Sequence, residues 1–199
     1  MAGRHAAARA GGTARARRAP RASAAGLERL WAPWRMPYLR AAASPAGCLF
    51  CAVRDARDDR RHLVLARRPH ALLMLNRFPY AAGHLMVAVA RHAGAFAELS
   101  AEEREDLIAL TAVAERALAE ADRPDGINVG ANLGRVAGAG FPGHLHLHVV
   151  PRWNGDTNFM TVVAGARVLP EALTDTWRRL RRAVRALDGA RARGGRAER

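Results

Sequence analysis

The stretch that decides the fold is His144-Leu145-His146-Leu147-His148-Val149-Val150, in which histidine alternates with an aliphatic residue. Because successive side chains of a β-strand point to opposite faces, this strand has one apolar face and one face that carries three imidazoles. An exposed imidazole contributes little to packing. Three of them in strict alternation therefore indicate a functional face.

Short apolar runs bounded by turn residues predict four more strands, at 63–66, 71–76, 84–90 and 127–132, before the histidine strand at 144–151. A capping box from Ser100 to Glu103 opens a helix that runs to about residue 121, and a second, basic helix covers 170–187. Residues 53–61 are charged and are either helical or irregular. The order β-β-β-α-β-β-α predicts an α+β fold, a five-stranded antiparallel sheet with helices packed on one side.

The net charge of +14 is concentrated at the two ends of the chain. Residues 1–26 hold six arginines and no acid, residues 178–199 hold nine arginines and two acids, and 27–177 is nearly neutral. All 32 basic residues are arginine, which points to a coding bias, so the charge is weak evidence for a specific nucleic-acid partner. The arginine ends can still bind polyanions loosely.

This composition predicts three segments. We expect a disordered tail at 1–26, one domain at 27–187 that begins with an aromatic arm containing Trp31 and Trp34, and a disordered basic tail at 188–199. No apolar run is long enough for a membrane span, and the N-terminal region lacks the apolar core of a secretory signal. It is acid-free, as organelle transit peptides are, and reads equally well as a disordered extension. Cys48 and Cys51 favour a reducing, cytoplasmic compartment.

The histidine stretch resembles the H-φ-H-φ-H-φ-φ motif of the histidine-triad (HIT) superfamily of nucleotide hydrolases and transferases. The segment Asn76-Arg77-Phe78-Pro79-Tyr80-Ala81-Ala82-Gly83-His84 resembles a second family motif, in which a ribose-contacting residue lies eight positions before a histidine. The aromatic arm and residues 134–138 and 154–159 are similar to the bacterial branch described as diadenosine tetraphosphate phosphorylase-like. The resemblance implies a HIT-like fold and a homodimer.

The resemblance also implies catalytic roles for three histidines. His146, the middle residue of the triad, matches the family's nucleophile, and His148 and His84 match positions that line the α-phosphate. The chemistry is reasonable without the family. A neutral imidazole near pH 7 can attack phosphorus, and the resulting phosphoramidate can pass the nucleotidyl group to a second acceptor. Neighbouring imidazoles and backbone N–H groups would stabilise the charge of the transition state.

The nucleotide-binding positions follow from the same resemblance. Asn76 matches the ribose contact, Asn132 matches a residue that contacts the bridging oxygen or phosphate, and Gly138 and Gly140 belong to a phosphate-facing loop. The family often carries a hydroxyl or amide side chain just before the first histidine, whereas this chain has Gly143. Protonation of the leaving group would then depend on backbone groups or on Thr157 and Asn158.

The pair Cys48 and Cys51 has three interpretations: a redox pair, half of a zinc site, or two small buried residues. A thioredoxin-like redox motif would require a βαβ context, which the predicted elements do not provide. Some bacterial HIT proteins hold zinc with such a pair, a histidine after the third strand and the first triad histidine. By that resemblance the ligands of a structural zinc are Cys48, Cys51, His92 and His144.

Three functions remain open at this point. The leading hypothesis is a diadenosine tetraphosphate phosphorylase, in which His146 takes an AMP group and passes it to phosphate. The second is a hydrolase of dinucleoside polyphosphates or nucleoside phosphoramidates that uses the same residues with water as acceptor. The third, from another class, is a non-catalytic nucleotide- or RNA-binding module that uses the arginine tails. No membrane partner and no specific nucleic acid are expected.

Overall fold

Five antiparallel strands form one sheet in the computed structural model of the chain, which describes residues 47–156 and 171–194. The strands lie in the order β1-β2-β3-β5-β4, so the second half of the sheet is built around the histidine strand. Their bounds are β1 Val64–Arg67, β2 Ala71–Leu75, β3 Leu85–Val89, β4 Gly126–Gly130 and β5 His146–Arg152.

Two long helices pack on one face of the sheet, α2 Ala101–Ala121 and α3 Leu173–Gly194. Alternate residues of the central strands, among them Leu73, Val87 and Leu147, form the main apolar core with these helices. Helix α2 begins at the predicted capping box, in which Ser100 accepts from the backbone N–H of Glu103 and the Glu103 carboxylate accepts from the backbone N–H of Ser100. The predicted α+β fold, with its five-stranded antiparallel sheet, is confirmed.

A short helix, α1 Leu49–Asp55, lies against the opposite face of the sheet. Its buried side chains Phe50 and Val53 pack on Leu72, Met74 and Met86. The prediction had placed every helix on one side and the helical or irregular stretch at 53–61. The helix begins earlier than that, at Leu49, and it covers the face that carries the histidines.

The outer edge of β1 is covered by side chains from α3. The indole Nε1–H of Trp177 donates to the carbonyl of Val64 at 2.9 Å. The Arg181 guanidinium donates to the carbonyls of Val64 and Leu65 at 2.7 and 3.0 Å. At the other end of the sheet, β4 pairs with β5 along one edge, and its second edge has no partner strand among the described residues. Val129 of β4 is 52% exposed. Among the described residues, the sheet thus has one covered edge and one open edge.

Three boundaries differ from those expected. The histidine strand begins at His146, because His144 lies in the turn that precedes it. The fourth strand ends at Gly130, before Asn132. Helix α3 extends to Gly194, so residues 188–194 are helical where the disordered basic tail had been placed. The tail at 1–26, the aromatic arm with Trp31 and Trp34, and Thr157 and Asn158 lie outside the described residues.

Within residues 47–156 and 171–194, none of the helices combines the length and the apolar character needed to cross a membrane.

Candidate functional site

The register between β3 and β5 places the catalytic candidates on the face that α1 covers. His146 lies opposite Ala88 and His148 lies opposite Met86. The rings of His146 and His148 are 5.1 Å apart and nearly perpendicular. The ring of His84, which immediately precedes β3, also lies 5.1 Å from that of His148. The three histidines predicted to be catalytic therefore form one continuous row.

His146 is held in a single tautomer by the turn that precedes its strand. Its Nδ1 lies 2.8 Å from the backbone carbonyl oxygen of His144, and a carbonyl only accepts, so Nδ1 carries the proton. In the neutral ring the lone pair is then on Nε2. Burial lowers the pKa of His146 below its ordinary value, which keeps the ring neutral near pH 7. These are the properties of a nucleophilic imidazole.

His84 is fully buried and hydrogen-bonded at both ring nitrogens. Its Nε2 lies 3.0 Å from Nδ1 of His148. Its Nδ1 accepts the backbone N–H of Tyr80 at 3.1 Å and lies 3.3 Å from the amide nitrogen of Asn76. Burial, reinforced by the charges of His148 and His146, lowers the pKa of His84 to about 3. His84 is therefore neutral at physiological pH.

Gly83 holds the chain in the conformation that delivers His84 to the row. Its φ is +78°, in the left-handed region that favours glycine. A Cβ at this position would lie 2.7 Å from a carboxylate oxygen of Asp122. The backbone conformation favours glycine at this position, and any side chain placed there would displace the Asp122 carboxylate.

The predicted phosphate-binding positions lie on the loop between β4 and β5. The side-chain amide of Asn132, which follows the end of β4, donates to the carbonyl of Gly138 in the same loop at 3.5 Å. Gly138 has a φ of +95° and, like Gly140, is half-buried. Asn132 is thus placed to support the loop, and its contact with a nucleotide, like that of the two glycines, stays a prediction.

Cys48, Cys51, His92 and His144 form one cluster, in which a ligand atom of each lies within 4.8 Å of the others. Cys48 Sγ lies 3.1 Å and Cys51 Sγ lies 3.7 Å from Nδ1 of His144, and Cys51 Sγ lies 3.4 Å from Nδ1 of His92. With the bond lengths usual for zinc, neighbouring sulfur and nitrogen ligands of a tetrahedral site are separated by about 3.6 Å. The four side chains are therefore close enough to hold one zinc ion.

The protonation state of His144 also suits a metal. Nε2 of His144 lies 2.7 Å from the carbonyl oxygen of Val89 and must carry the proton, so Nδ1 faces the two sulfurs with its lone pair. Metal-binding histidines commonly donate their second N–H to a carbonyl in this way. Burial, followed by the hydrogen bond and charge of Cys48, raises the pKa of the Cys51 thiol. A nearby cation would reverse that effect.

Gly143 is part of the same cluster, because a Cβ on it would lie 3.3 Å from Nε2 of His92. The glycine that stands in place of a hydroxyl or amide residue thus leaves room for the His92 ring. The thioredoxin-like interpretation of the cysteines is not supported, since both thiols face imidazoles.

An apolar pocket of about 260 Å³ opens beside the histidine row. Phe50 lines the pocket, and its ring lies 4.6 Å from that of His146, so one aromatic side chain contacts both the pocket and the candidate nucleophile. Asn76 lies at the polar part of the wall. The remaining lining residues come from α1, β2, β3 and the loops: Leu49, Val53, His62, Leu63, Met74, Leu75, Arg77, Phe78, Met86 and Phe141.

This pocket was not among the features predicted from the sequence. His62 is half-buried in its wall. The available signal was the alternation in β2 and β3, which places Met74 and Met86 on the same face as the histidines. That pattern does not reveal that α1 and Phe141 would close the pocket from the other side.

Comparison with known proteins supports the sequence resemblance. Residues 58–155 match the family model described as HIT domain. A protein of Mycobacterium tuberculosis named AP-4-A phosphorylase is 43% identical over 163 residues, which cover 77% of this chain and 83% of the relative. An uncharacterised HIT-like protein of Saccharolobus solfataricus is 32% identical over 117 residues, which cover 57% of this chain and 79% of that protein.

A solved structure shows the same likeness. It is a zinc-bound histidine triad family protein from Mycobacterium smegmatis, with a TM-score of 0.58 and 30% sequence identity. The match covers 72% of this chain and 97% of that one.

Proposed function

Because the chain belongs to the HIT domain family, we propose that it is a nucleotidyltransferase that cleaves diadenosine tetraphosphate through a covalent adenylate on His146. The single observation that carries this proposal is the state of His146. Its Nδ1–H is bonded to the His144 carbonyl, its pKa is lowered by burial, and its ring lies against the wall of the apolar pocket. A relative 43% identical bears the name AP-4-A phosphorylase.

The pocket and the histidine row suggest how the substrate is bound. An apolar pocket of about 260 Å³ with three phenylalanines in its wall suits a purine base, which packs well against aromatic rings. Asn76, at the polar part of the wall, would contact the ribose. A nucleoside placed so would direct its α-phosphate toward His146 and His148.

The reaction then proceeds in two displacements. Nε2 of His146 attacks the α-phosphorus of one adenylate, a P–N bond forms, and the P–O bond to the leaving ATP breaks. An oxygen of inorganic phosphate next attacks the same phosphorus, and the P–N bond breaks to release ADP and free His146. Charge on the non-bridging oxygens would be stabilised by His148 and by backbone N–H groups of the 134–143 loop.

The acceptor decides between a phosphorylase and a hydrolase. Product analysis with diadenosine tetraphosphate, with and without phosphate, tests this directly. We expect ATP and ADP in the presence of phosphate. If the products are instead ATP and AMP, in the same amounts with and without phosphate, the protein is a hydrolase.

His146→Ala tests the nucleophile, and His70→Ala is a matched control because His70 lies on the short connection between β1 and β2, away from the row. We expect His146→Ala to lose turnover while its circular dichroism spectrum and melting temperature match those of the control. Full activity in His146→Ala would contradict the covalent mechanism.

We also propose that Cys48, Cys51, His92 and His144 hold a structural zinc ion. When bound, zinc would supply a fixed cross-link between α1, the segment after β3 and the turn before β5. Two observations support this assignment: the ligand atoms of the four residues lie within 4.8 Å of one another, and His144 Nε2–H is hydrogen-bonded to the carbonyl of Val89.

A homodimer in the cytoplasm completes the proposal. The open edge of β4, with Val129 and Leu133 about half exposed, offers backbone groups and apolar surface to a second copy. The two free thiols suit a reducing compartment. Light scattering coupled to size-exclusion chromatography tests the dimer, and we expect twice the mass of one 21.5 kDa chain.

A further inference from the structure

The direction of the hydrogen bonds around Asn76 is fixed by a backbone amide. The N–H of Phe78 can only donate, and it lies 2.9 Å from Oδ1 of Asn76. The carbonyl end of the Asn76 side chain is therefore turned toward Phe78. Its amide nitrogen is then the atom that lies 3.3 Å from Nδ1 of His84.

A second backbone amide acts on the same nitrogen of His84. The N–H of Tyr80 donates to Nδ1 of His84 at 3.1 Å. Two donors converge on Nδ1, so this nitrogen carries a lone pair and no proton. The proton of the neutral His84 ring must be on Nε2.

The hydrogen bond between His84 and His148 then fixes the tautomer of His148. Nε2–H of His84 donates to Nδ1 of His148, 3.0 Å away. Nδ1 of His148 is thus an acceptor, and the proton of the neutral His148 ring is on Nε2. His146 has the opposite arrangement, with the proton on Nδ1, where it bonds the His144 carbonyl. Two histidines of one strand are therefore held in opposite tautomers.

We propose that Asn76 is a positioning residue: together with the backbone N–H of Tyr80 it keeps Nδ1 of His84 unprotonated, so that His148 presents an Nε2–H donor to the phosphate that His146 attacks. This inference rests on the proposed nucleotidyl transfer, and it gives Asn76 a task beyond a ribose contact. The difference in tautomer supplies one imidazole that attacks and one that donates a hydrogen bond to the developing oxyanion.

Two substitutions separate this task from ribose binding. Asn76→Asp keeps the shape and an acceptor for the Phe78 N–H, and a carboxylate can still bind ribose hydroxyls. It cannot donate to His84, and a carboxylate oxygen against the Nδ1 lone pair favours protonation of Nδ1. Asn76→Ala removes the ribose contact but leaves the Tyr80 N–H to hold the His84 tautomer.

The test has a spectroscopic part that needs no substrate. In the full chain labelled with ¹⁵N-histidine, we expect wild-type His84 and His148 to be neutral and protonated on Nε2, with signals assigned by their loss in His84→Gln and His148→Gln. In Asn76→Asp, Nδ1 of His84 should be protonated, whereas in Asn76→Ala it should stay unprotonated. A wild-type His84 protonated on Nδ1, or an Asn76→Asp spectrum unchanged at His84, would overturn the proposal.

The kinetic part uses diadenosine tetraphosphate. Asn76→Asp should reduce kcat by about tenfold or more with a smaller change in KM, since one hydrogen-bond donor in such a site contributes at least that much. Asn76→Ala should raise KM and keep a higher kcat than Asn76→Asp. The reverse order, with Asn76→Asp the more active, indicates a ribose contact alone and overturns the proposal. If the wild type fails to cleave this substrate, the proposed function fails, and the tautomers are still decided by the spectra.

Discussion

Nδ1 of His146 lies 2.8 Å from the carbonyl oxygen of His144, so the candidate nucleophile is bonded to a residue of the metal cluster. The ring of His144 is itself held in place by a hydrogen bond from its Nε2–H to the carbonyl of Val89. We therefore propose three different tasks for the three histidines of the motif: His144 as a metal ligand, His146 as the nucleophile and His148 as a hydrogen-bond donor. Equal spacing along the strand does not give them one function.

The metal cluster predicts about one zinc ion per chain in protein purified under reducing conditions without chelators. Cys48→Ser and His92→Ala should each lower the zinc content, because each removes one of four ligands. His70→Ala, which alters a histidine outside the cluster, should keep it. The measurement is elemental analysis by mass spectrometry, and zinc-free wild-type protein would contradict the prediction.

The nucleoside pocket predicts a role for Phe78, which lines it and is 55% exposed. Phe78→Ala should raise KM for diadenosine tetraphosphate by about tenfold and change kcat little, because an aromatic ring packed on a base contributes about 1–3 kcal/mol. Phe96→Ala is the control, since Phe96 is also exposed but lies in the short 3₁₀ segment before α2. Equal KM values for both variants would place the base elsewhere.

The surroundings of Gly83 predict that Gly83→Ala lowers the free energy of unfolding more than Gly155→Ala does. Gly83→Ala and Gly155→Ala both place a side chain on a residue with positive φ, +78° and +75°, which costs about 1 kcal/mol. Only at Gly83 does the added Cβ meet a neighbour, the Asp122 carboxylate. Urea unfolding should therefore give a larger loss for Gly83→Ala, by about 1–3 kcal/mol. Equal losses would mean that Asp122 moves aside freely.

The buried, neutral His84 predicts a loss of stability in mild acid. Its pKa is about 3 in the folded chain and about 6.5 when unfolded, so between these values the unfolded state binds more protons. The free energy of unfolding should fall as the pH decreases from about 6.5 toward 3. His84→Gln should lose less over this range in urea titrations.

Glu103 titrates in a lower range, so its effect on stability is separate from that of His84 above about pH 4.5. Its hydrogen bond with Arg91, followed by the one with the Ser100 backbone, lowers the pKa of Glu103 to about 2. Its contribution to stability is therefore complete above about pH 4.5 and is lost as the pH falls toward 2. A loss of stability between about pH 6.5 and 4.5 that was identical in wild type and His84→Gln would contradict the assignment to His84.

Much of the site could be predicted from the sequence because its elements are local. The alternation in 144–150 defines one strand face, the capping box defines the start of α2, and the spacing from Asn76 to His84 spans a single loop. The register of β3 with β5 then brings His84 and His148 together.

The remaining features depend on contacts between distant parts of the chain. Alternation shows that Met74 and Met86 share the histidine face, but not that Phe50 of α1 would cover it. The second role of Asn76 depends on which end of its amide faces His84, and that is set by the backbone of Phe78. A sequence motif records the residue and leaves its orientation undefined.

The covered edge of β1 has a consequence for how copies of this chain can assemble. Trp177 and Arg181 occupy the carbonyls of Val64 and Leu65 that another strand would need. Within residues 47–156 and 171–194, β4 is the strand edge left open, and through it a sheet can join one other sheet, edge to edge, around a two-fold axis. The proposed homodimer would then be a closed pair, because its formation uses the open edge of both copies.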